Sequence, residues 1–350
     1  MIIRKKHKIL FILLFILTIF IFYINFSWGN PVWNSFSLAI MSSILIFLTF
    51  AFFWELNDFW QFRWHRMETS QVNIKKMKIP LAENSSLYGE YITEKSYNEH
   101  QNSNQIEKEN RPLVIFIHGF SDNSVLDRYI TIPLSLNGFE VLSYDNRGTK
   151  RSSNAGSKSD FMKIVKDLGV VLDFVQSDKK MREKDLYLVG LSLGAISAIF
   201  QGLKHPFIKK IIAVSAMAQY NTILPKSPVP FKGKWWLWLR YRLLGVPTNP
   251  KDRINQILSP FYQVKEKRKE FLSKRQNTEK AKKEWKEYIN QKLFLIHSKN
   301  DKVVPYQHFK RNVKITQINN NNTFVVDAGG HNFVKCEPSL IAKIINFLNR

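Results

Sequence analysis

Two uninterrupted apolar stretches open the chain, and short apolar runs alternating with amphipathic segments fill the rest. Ile9 to Phe26 is 18 residues without a charge, and Phe36 to Trp54 is 19. Each approaches the roughly 20 residues that cross a hydrocarbon core. The first follows Arg4, Lys5, Lys6 and Lys8, as a signal peptide would. It is longer than the apolar core of such a peptide, and no Ala-x-Ala site follows it. Ser27 to Ser35 carries no charge, contains Gly29 and Pro31, and reads as a hairpin between two spans. The pattern changes near residue 72. Val72 to Pro80 and Leu87 to Ile92 read as strands about a turn at Glu83 to Ser86. The polar segment Glu94 to Arg111 reads as an exposed loop.

From Leu113 onward the pattern alternates. Leu113-Val114-Ile115-Phe116-Ile117, Phe139 to Tyr144, Asp185 to Val189, Lys209 to Ser215, Leu293 to His297 and Thr323 to Val326 are short apolar runs. Such runs fit parallel strands buried on both faces. Between them lie helical patterns. Asn123 to Leu136 reads as a helix, Asp160 to Gln176 places Phe161, Ile164, Val165, Leu168, Val171, Leu172 and Val175 on one face, and Pro338 to Leu348 closes the chain. Strand and helix in alternation predict an α/β fold with a mainly parallel sheet covered on both faces. The alternation lapses over residues 216–291, which read as a mainly helical insertion. The expected organisation is two transmembrane helices at 1–54, a membrane-proximal connector at 55–71 and an α/β domain at 72–350.

Charge sharpens the membrane expectation. Lys and Arg exceed Asp and Glu by 52 − 28 = 24. Basic residues flank the outer ends of both apolar stretches, with Arg63, Arg66, Lys75, Lys76 and Lys78 after the second, and none lies in the hairpin. That asymmetry places both ends, and the α/β domain, on the cytoplasmic side of a cell membrane. Trp28, Trp33, Trp54, Trp60 and Trp64 fall near the expected interfaces, as an aromatic belt or simple packing would place them. Half of the surplus charge lies between Lys226 and Lys292, with 18 Lys/Arg against 6 Asp/Glu. There Trp235, Trp236, Trp238 and Tyr241 stand beside Lys232, Lys234, Arg240 and Arg242. Two readings stand: insertion into an anionic headgroup region, or aromatics packed on the core beneath solvated charges. Lys265 to Lys286 reads as a charged helix face. No nucleic-acid-binding module is recognisable. One cysteine, Cys336, rules out a disulfide within the chain, and no residue cluster suggests a metal site.

The candidate chemistry centres on Gly190-Leu191-Ser192-Leu193-Gly194, between a buried strand and a buried helix. Strand, Gly-x-Ser-x-Gly, helix is the nucleophile-elbow arrangement. Its tight turn strains the serine backbone and lifts the hydroxyl clear of the sheet. Side chains at the two glycine positions would collide with neighbouring elements. The helix that follows points its N-terminus at the site, where a developing anion is favoured. An ordinary strand-to-helix turn is the alternative.

The His118-Gly119-Phe120 turn, the Asp145-Asn146-Arg147-Gly148 segment and the elbow follow one another in an order that resembles the α/β-hydrolase-fold serine hydrolases. Within them the chain is most similar to monoacylglycerol-lipase-like and related lipase or esterase members, over roughly residues 72 to 350. Such relatives usually continue Arg-Gly-His-Gly-x-Ser, whereas this chain has Arg147-Gly148-Thr149-Lys150-Arg151-Ser152. The resemblance implies an α/β-hydrolase fold with a helical cap at 216–291. It implies a triad of Ser192, Asp301 and His331, with Asp327 as second choice of acid. It also implies an oxyanion hole from the N–H groups of Phe120 and Leu193. The implied chemistry is acyl transfer to Ser192 and hydrolysis, with no metal or organic cofactor. The substrate expected is an acyl ester, lipid-like because of the anchor. Thioester, amide and peptide cleavage use the same triad, and a non-catalytic membrane scaffold is the reading from another class.

Overall fold

The computed structural model describes residues 5–29, 31–46, 49, 68–81, 85–95, 111–120, 123–220, 254, 258–333 and 335–350, with side chains from residue 16. The chain divides into two compact units, Met1–Arg66 and Met67–Arg350. The first holds α1, Lys5–Ser27, and α2, residues 32–46. Between them Gly29 adopts φ 79°. The Phe22 ring meets Phe36 edge-on, with centroids 6.4 Å apart. The expected two-span transmembrane hairpin is not found among the described residues. Among the described residues no helix is long and apolar enough to cross a membrane.

The second unit is built on an eight-stranded sheet ordered β1-β2-β4-β3-β5-β6-β7-β8. Its strands are β1 Val72–Pro80, β2 Ser86–Glu94, β3 Leu113–Ile117, β4 Glu140–Tyr144, β5 Leu186–Leu191, β6 Ile208–Val214, β7 Leu293–Ser298 and β8 Thr323–Val326. β1 and β2 pair antiparallel with each other, and β2 does so with β4; all remaining pairs are parallel. Every residue of β3, β4, β5 and β7 is buried. Helices on both faces leave no solvated side, so these strands are written as unbroken apolar runs.

The described helices of this unit include α3 Arg128–Leu136, α4 Phe161–Ser177, α5 Leu193–Lys204, α6 Pro260–Ser273, α7 Glu279–Lys292, α8 Gln307–Thr316 and α9 Glu337–Leu348. α4 begins where Asp160 accepts the Lys163 N–H, which satisfies one of the orphan donors of its first turn. α3 is shorter than the expected Asn123 to Leu136. The Asn123 carboxamide oxygen takes the N–H groups of Val125 and Leu126 at 3.2 and 3.3 Å. Residues 124–127 therefore turn before the helix starts. α8 was not foreseen from the sequence, because its buried face includes His308, Asn312 and Thr316.

The charged stretch expected as one helix face is two helices, α6 and α7, separated by Gln276 and Asn277 with φ of 58° and 54°. Val264, Trp285 and Ile289 join the main core beside Leu188, Ile211 and Leu293. This part of 216–291 thus packs against the sheet. The Trp- and Arg-bearing segment 232–242 lies outside the described residues, as does most of the 55–71 connector.

Candidate active site

Ser192 stands between β5 and α5 with φ 55° and ψ −110°. A left-handed backbone is costly for a residue with a Cβ, and it persists only where the surroundings hold it. The Ser192 N–H donates to Val214 O at 2.8 Å, which ties the turn to β6. Both glycines of the elbow are sterically required. A Cβ on Gly190 would collide with the backbone of Gly194, and a Cβ on Gly194 would collide with Ile117 O and His118 O. The elbow therefore packs directly on the end of β3. Ser192 is 8% exposed and Leu193 2%. Leu193 opens α5, so its N–H is among those with no acceptor inside the helix.

Asp301 and His331 meet. His331 Nδ1 donates to Asp301 Oδ2 at 2.7 Å. Asp301 Oδ1 accepts the N–H groups of Val303 and Val304, both at 2.8 Å. Burial alone would raise the Asp301 carboxyl. The hydrogen bond from His331, its charge once protonated, and the Val304 N–H outweigh it and hold the carboxyl below its ordinary value. With its proton on Nδ1, His331 presents a lone pair at Nε2. Its loop is held from two sides: Asn300 Oδ1 accepts the Gly330 N–H at 2.7 Å, and Ser215 Oγ donates to His331 O at 3.2 Å. Asp327, the second-choice acid, turns to the surface and pairs with Lys299 at 2.6 Å. No hydrogen bond joins Ser192 Oγ to His331 among the described residues; such contacts often close only once substrate is bound.

Phe120 follows the β3 turn, and its ring meets Phe161 edge-on at 5.3 Å. The turn before it is held by His118, whose Nε2 accepts the Asn146 N–H at 2.8 Å while Nδ1 donates to Gly119 O at 2.5 Å. His118 is fully buried and joins the end of β3 to the end of β4. Sequence reasoning assigned it no part of its own, although a His-Gly pair closing a buried strand was the visible signal. His297 was also missed. It lies 3.7 Å from Asp301 Oδ2 and donates from Nε2 to Val304 O at 2.9 Å. Burial pushes its imidazole below the ordinary value, more than Val304 and Asp301 raise it. It therefore stays neutral at neutral pH and props the loop that carries Asp301. No cluster of residues that could hold a metal ion occurs among the described residues.

The strand order, the strained serine at the end of β5, and the acid and histidine in the loops after β7 and β8 define an α/β-hydrolase. Residues 108–338 match the family model described as serine aminopeptidase, S33, and the chain belongs to that family. Among solved structures it is similar to the Pyrococcus horikoshii acylaminoacyl peptidase, with a TM-score of 0.54 at 15% identity. That match covers 80% of this chain and 42% of the peptidase, so the chain spans under half of that relative's length. The Pyrococcus furiosus esterase Pf2001 gives a TM-score of 0.54 at 18% identity, over 79% of this chain and 91% of the esterase. At these identities the likeness shows the fold alone. No curated protein matches the chain.

Proposed function

We infer that the protein is a serine hydrolase that cleaves acyl bonds through an acyl-enzyme on Ser192. The observations that carry this reading are the strained Ser192 elbow and the hydrogen bond between His331 and the buried Asp301. In the reaction, His331 Nε2 takes the hydroxyl proton as Ser192 Oγ attacks the acyl carbonyl. Asp301 holds the proton on Nδ1 and stabilises the imidazolium that forms. The N–H groups of Phe120 and Leu193 receive the oxyanion. His331 returns the proton to the leaving group, then activates the water that releases the acid. A fluorophosphonate probe applied to the purified full chain should label Ser192, and Ser192→Ala should abolish both labelling and ester hydrolysis. Folded protein that resists the probe, with esterase activity intact in Ser192→Ala, would overturn the reading. Labelling also disposes of the non-catalytic scaffold.

The favoured substrate is a carboxylic ester with an apolar, lipid-like acyl group, and the favoured site is the cytoplasmic face of a cell membrane. Support comes from the two charge-free stretches and their basic flanks. Exposed apolar side chains on the first unit add to it, among them Trp28, Trp33 and Met41 at 79%, 78% and 70%. Protein that leaves the membrane fraction in alkaline carbonate would count against two spans. Peptide or amide cleavage is the second reading, favoured by the family description of a serine aminopeptidase. A panel of short and long acyl esters, acyl thioesters and aminoacyl anilides separates the two.

A further inference from the structure

Residues 118–120 and 123–128 are held by a cluster of buried charge. Two carboxylates, Glu90 on β2 and Asp145 at the end of β4, are buried beside them with no exposed side-chain surface. Arg151 joins them: its Nη1 donates to Glu90 Oε1 at 2.9 Å and its Nε to Asp145 Oδ2 at 3.1 Å. Its Nη2 donates to Ser124 Oγ at 2.5 Å. The guanidinium also stacks on the Tyr88 ring, 3.7 Å from the centroid. Asp145 Oδ1 accepts the Ser124 N–H at 2.8 Å. At the far end, Arg128 makes a bidentate contact with Glu90 at 2.9 and 3.2 Å. At the near end, His118 is fastened to Asn146. Phe120 thus sits between His118 and Ser124, two points fixed to the loop that follows β4.

We propose that Arg151 is a positioning residue that sets the backbone of the Phe120 loop for oxyanion binding, acting through Asp145 and Ser124. The proposal rests on the oxyanion reading of Phe120. The geometry explains why an arginine is needed. One planar fork reaches two carboxylates and a hydroxyl at once, which a lysine ammonium cannot do. Without the guanidinium, two buried anions lose their shared cation, and Asp145 relaxes away from Ser124. A donor displaced by a fraction of an ångström weakens contact with the transition-state oxyanion more than with the ground-state carbonyl. The loss therefore falls on kcat rather than KM.

The test uses the full chain with Arg151→Met, Arg151→Lys and Ser124→Ala, each normalised by active-site titration with a fluorophosphonate. Arg151→Met should lower kcat per titrated site about 10- to 100-fold, with KM within about 2-fold of wild type. Arg151→Lys should recover little of this, and Ser124→Ala should lower kcat about 3-fold. Added guanidinium ion at millimolar level should partly restore Arg151→Met. If Arg151→Met does not fold, the lysine and Ser124 variants decide. Unchanged kcat per titrated site in the folded variants, or a loss confined to KM, overturns the positioning role. Failure of the wild-type protein to take the probe at all overturns the Ser192 reading instead, so the two failures are distinguishable.

Discussion

Asp301→Asn tests the acid by changing two atoms. The carboxylate makes three hydrogen bonds, two from backbone N–H groups to Oδ1 and one from His331 to Oδ2. A carboxamide of the same shape has one oxygen and one NH2, so it cannot satisfy both sides. If its oxygen faces His331, the NH2 meets two backbone N–H donors, of which that of Val304 is buried. Leaving the buried one unmade costs about 1–3 kcal/mol. The amide therefore turns the other way, and its NH2 donates to His331 Nδ1. That forces the histidine proton onto Nε2, where it blocks acceptance of the Ser192 proton. Reaching the productive tautomer means returning to the disfavoured amide orientation. At about 1.36 kcal/mol per factor of ten, kcat should fall about 5- to 160-fold, with KM little changed. The assay is steady-state hydrolysis of a chromogenic acyl ester per titrated site, with Asp327→Asn alongside. Asp327 is exposed and pairs with Lys299, so its variant should stay within about 2-fold, as surface pairs contribute little. Activity of Asp301→Asn within about 3-fold of wild type, or a larger loss in Asp327→Asn, would refute the reasoning.

Three further outcomes follow from the same geometry. Gly194→Ala places a methyl group against Ile117 O and His118 O, which are backbone atoms unable to swing aside. Fluorophosphonate labelling should slow by about 100-fold or more, and stability should drop by about 1–3 kcal/mol in a urea titration; normal labelling would show that the elbow tolerates a side chain. Asp301 is held below its ordinary carboxylate value in the folded protein. Such a group stabilises the fold in full above the unfolded value of about 3.9 and loses that contribution as pH falls through the folded value. Wild type should therefore lose its stability margin over Asp301→Asn between about pH 5 and pH 2, and a margin constant with pH would contradict the buried charge. Trp285 is fully buried, with its ring 5.4 Å from Phe271 and 5.8 Å from Tyr288. Trp285→Ala should cost about 3–5 kcal/mol in chemical denaturation, whereas a cost under about 1 kcal/mol would mean that α7 is detachable from the core.

Local sequence determined a good deal of this protein. Apolar runs such as Leu113 to Ile117 fit strands covered on both faces, because a half-solvated strand would alternate. Gly190-x-Ser192-x-Gly194 between such a strand and an apolar helix specifies the elbow, since side chains at the glycines would meet backbone. The chain order of Ser192, Asp301 and His331 pointed to loops that the parallel sheet gathers at one edge. The limits of α3 were not legible, because they depend on which backbone groups the Asn123 side chain captures. α8 was not legible either, since its polar residues look exposed until the neighbouring loops arrive; the His308 ring accepts the Ala218 N–H at 3.1 Å.

Tertiary structure alone decided the pairings that need two distant segments. It separated Asp301 from Asp327: both lie in loops near the histidine, but only one carboxylate is desolvated and aimed at Nδ1. It gathered Glu90, Ser124, Asp145 and Arg151 about one guanidinium. It also turned the basic stretch around Lys265 to Lys286 into two helices that bury Val264, Trp285 and Ile289 against the sheet. Periodicity and turn chemistry act over a few residues and so are written along the chain. Desolvation and charge pairing act across space and exist only once the strands have set their order.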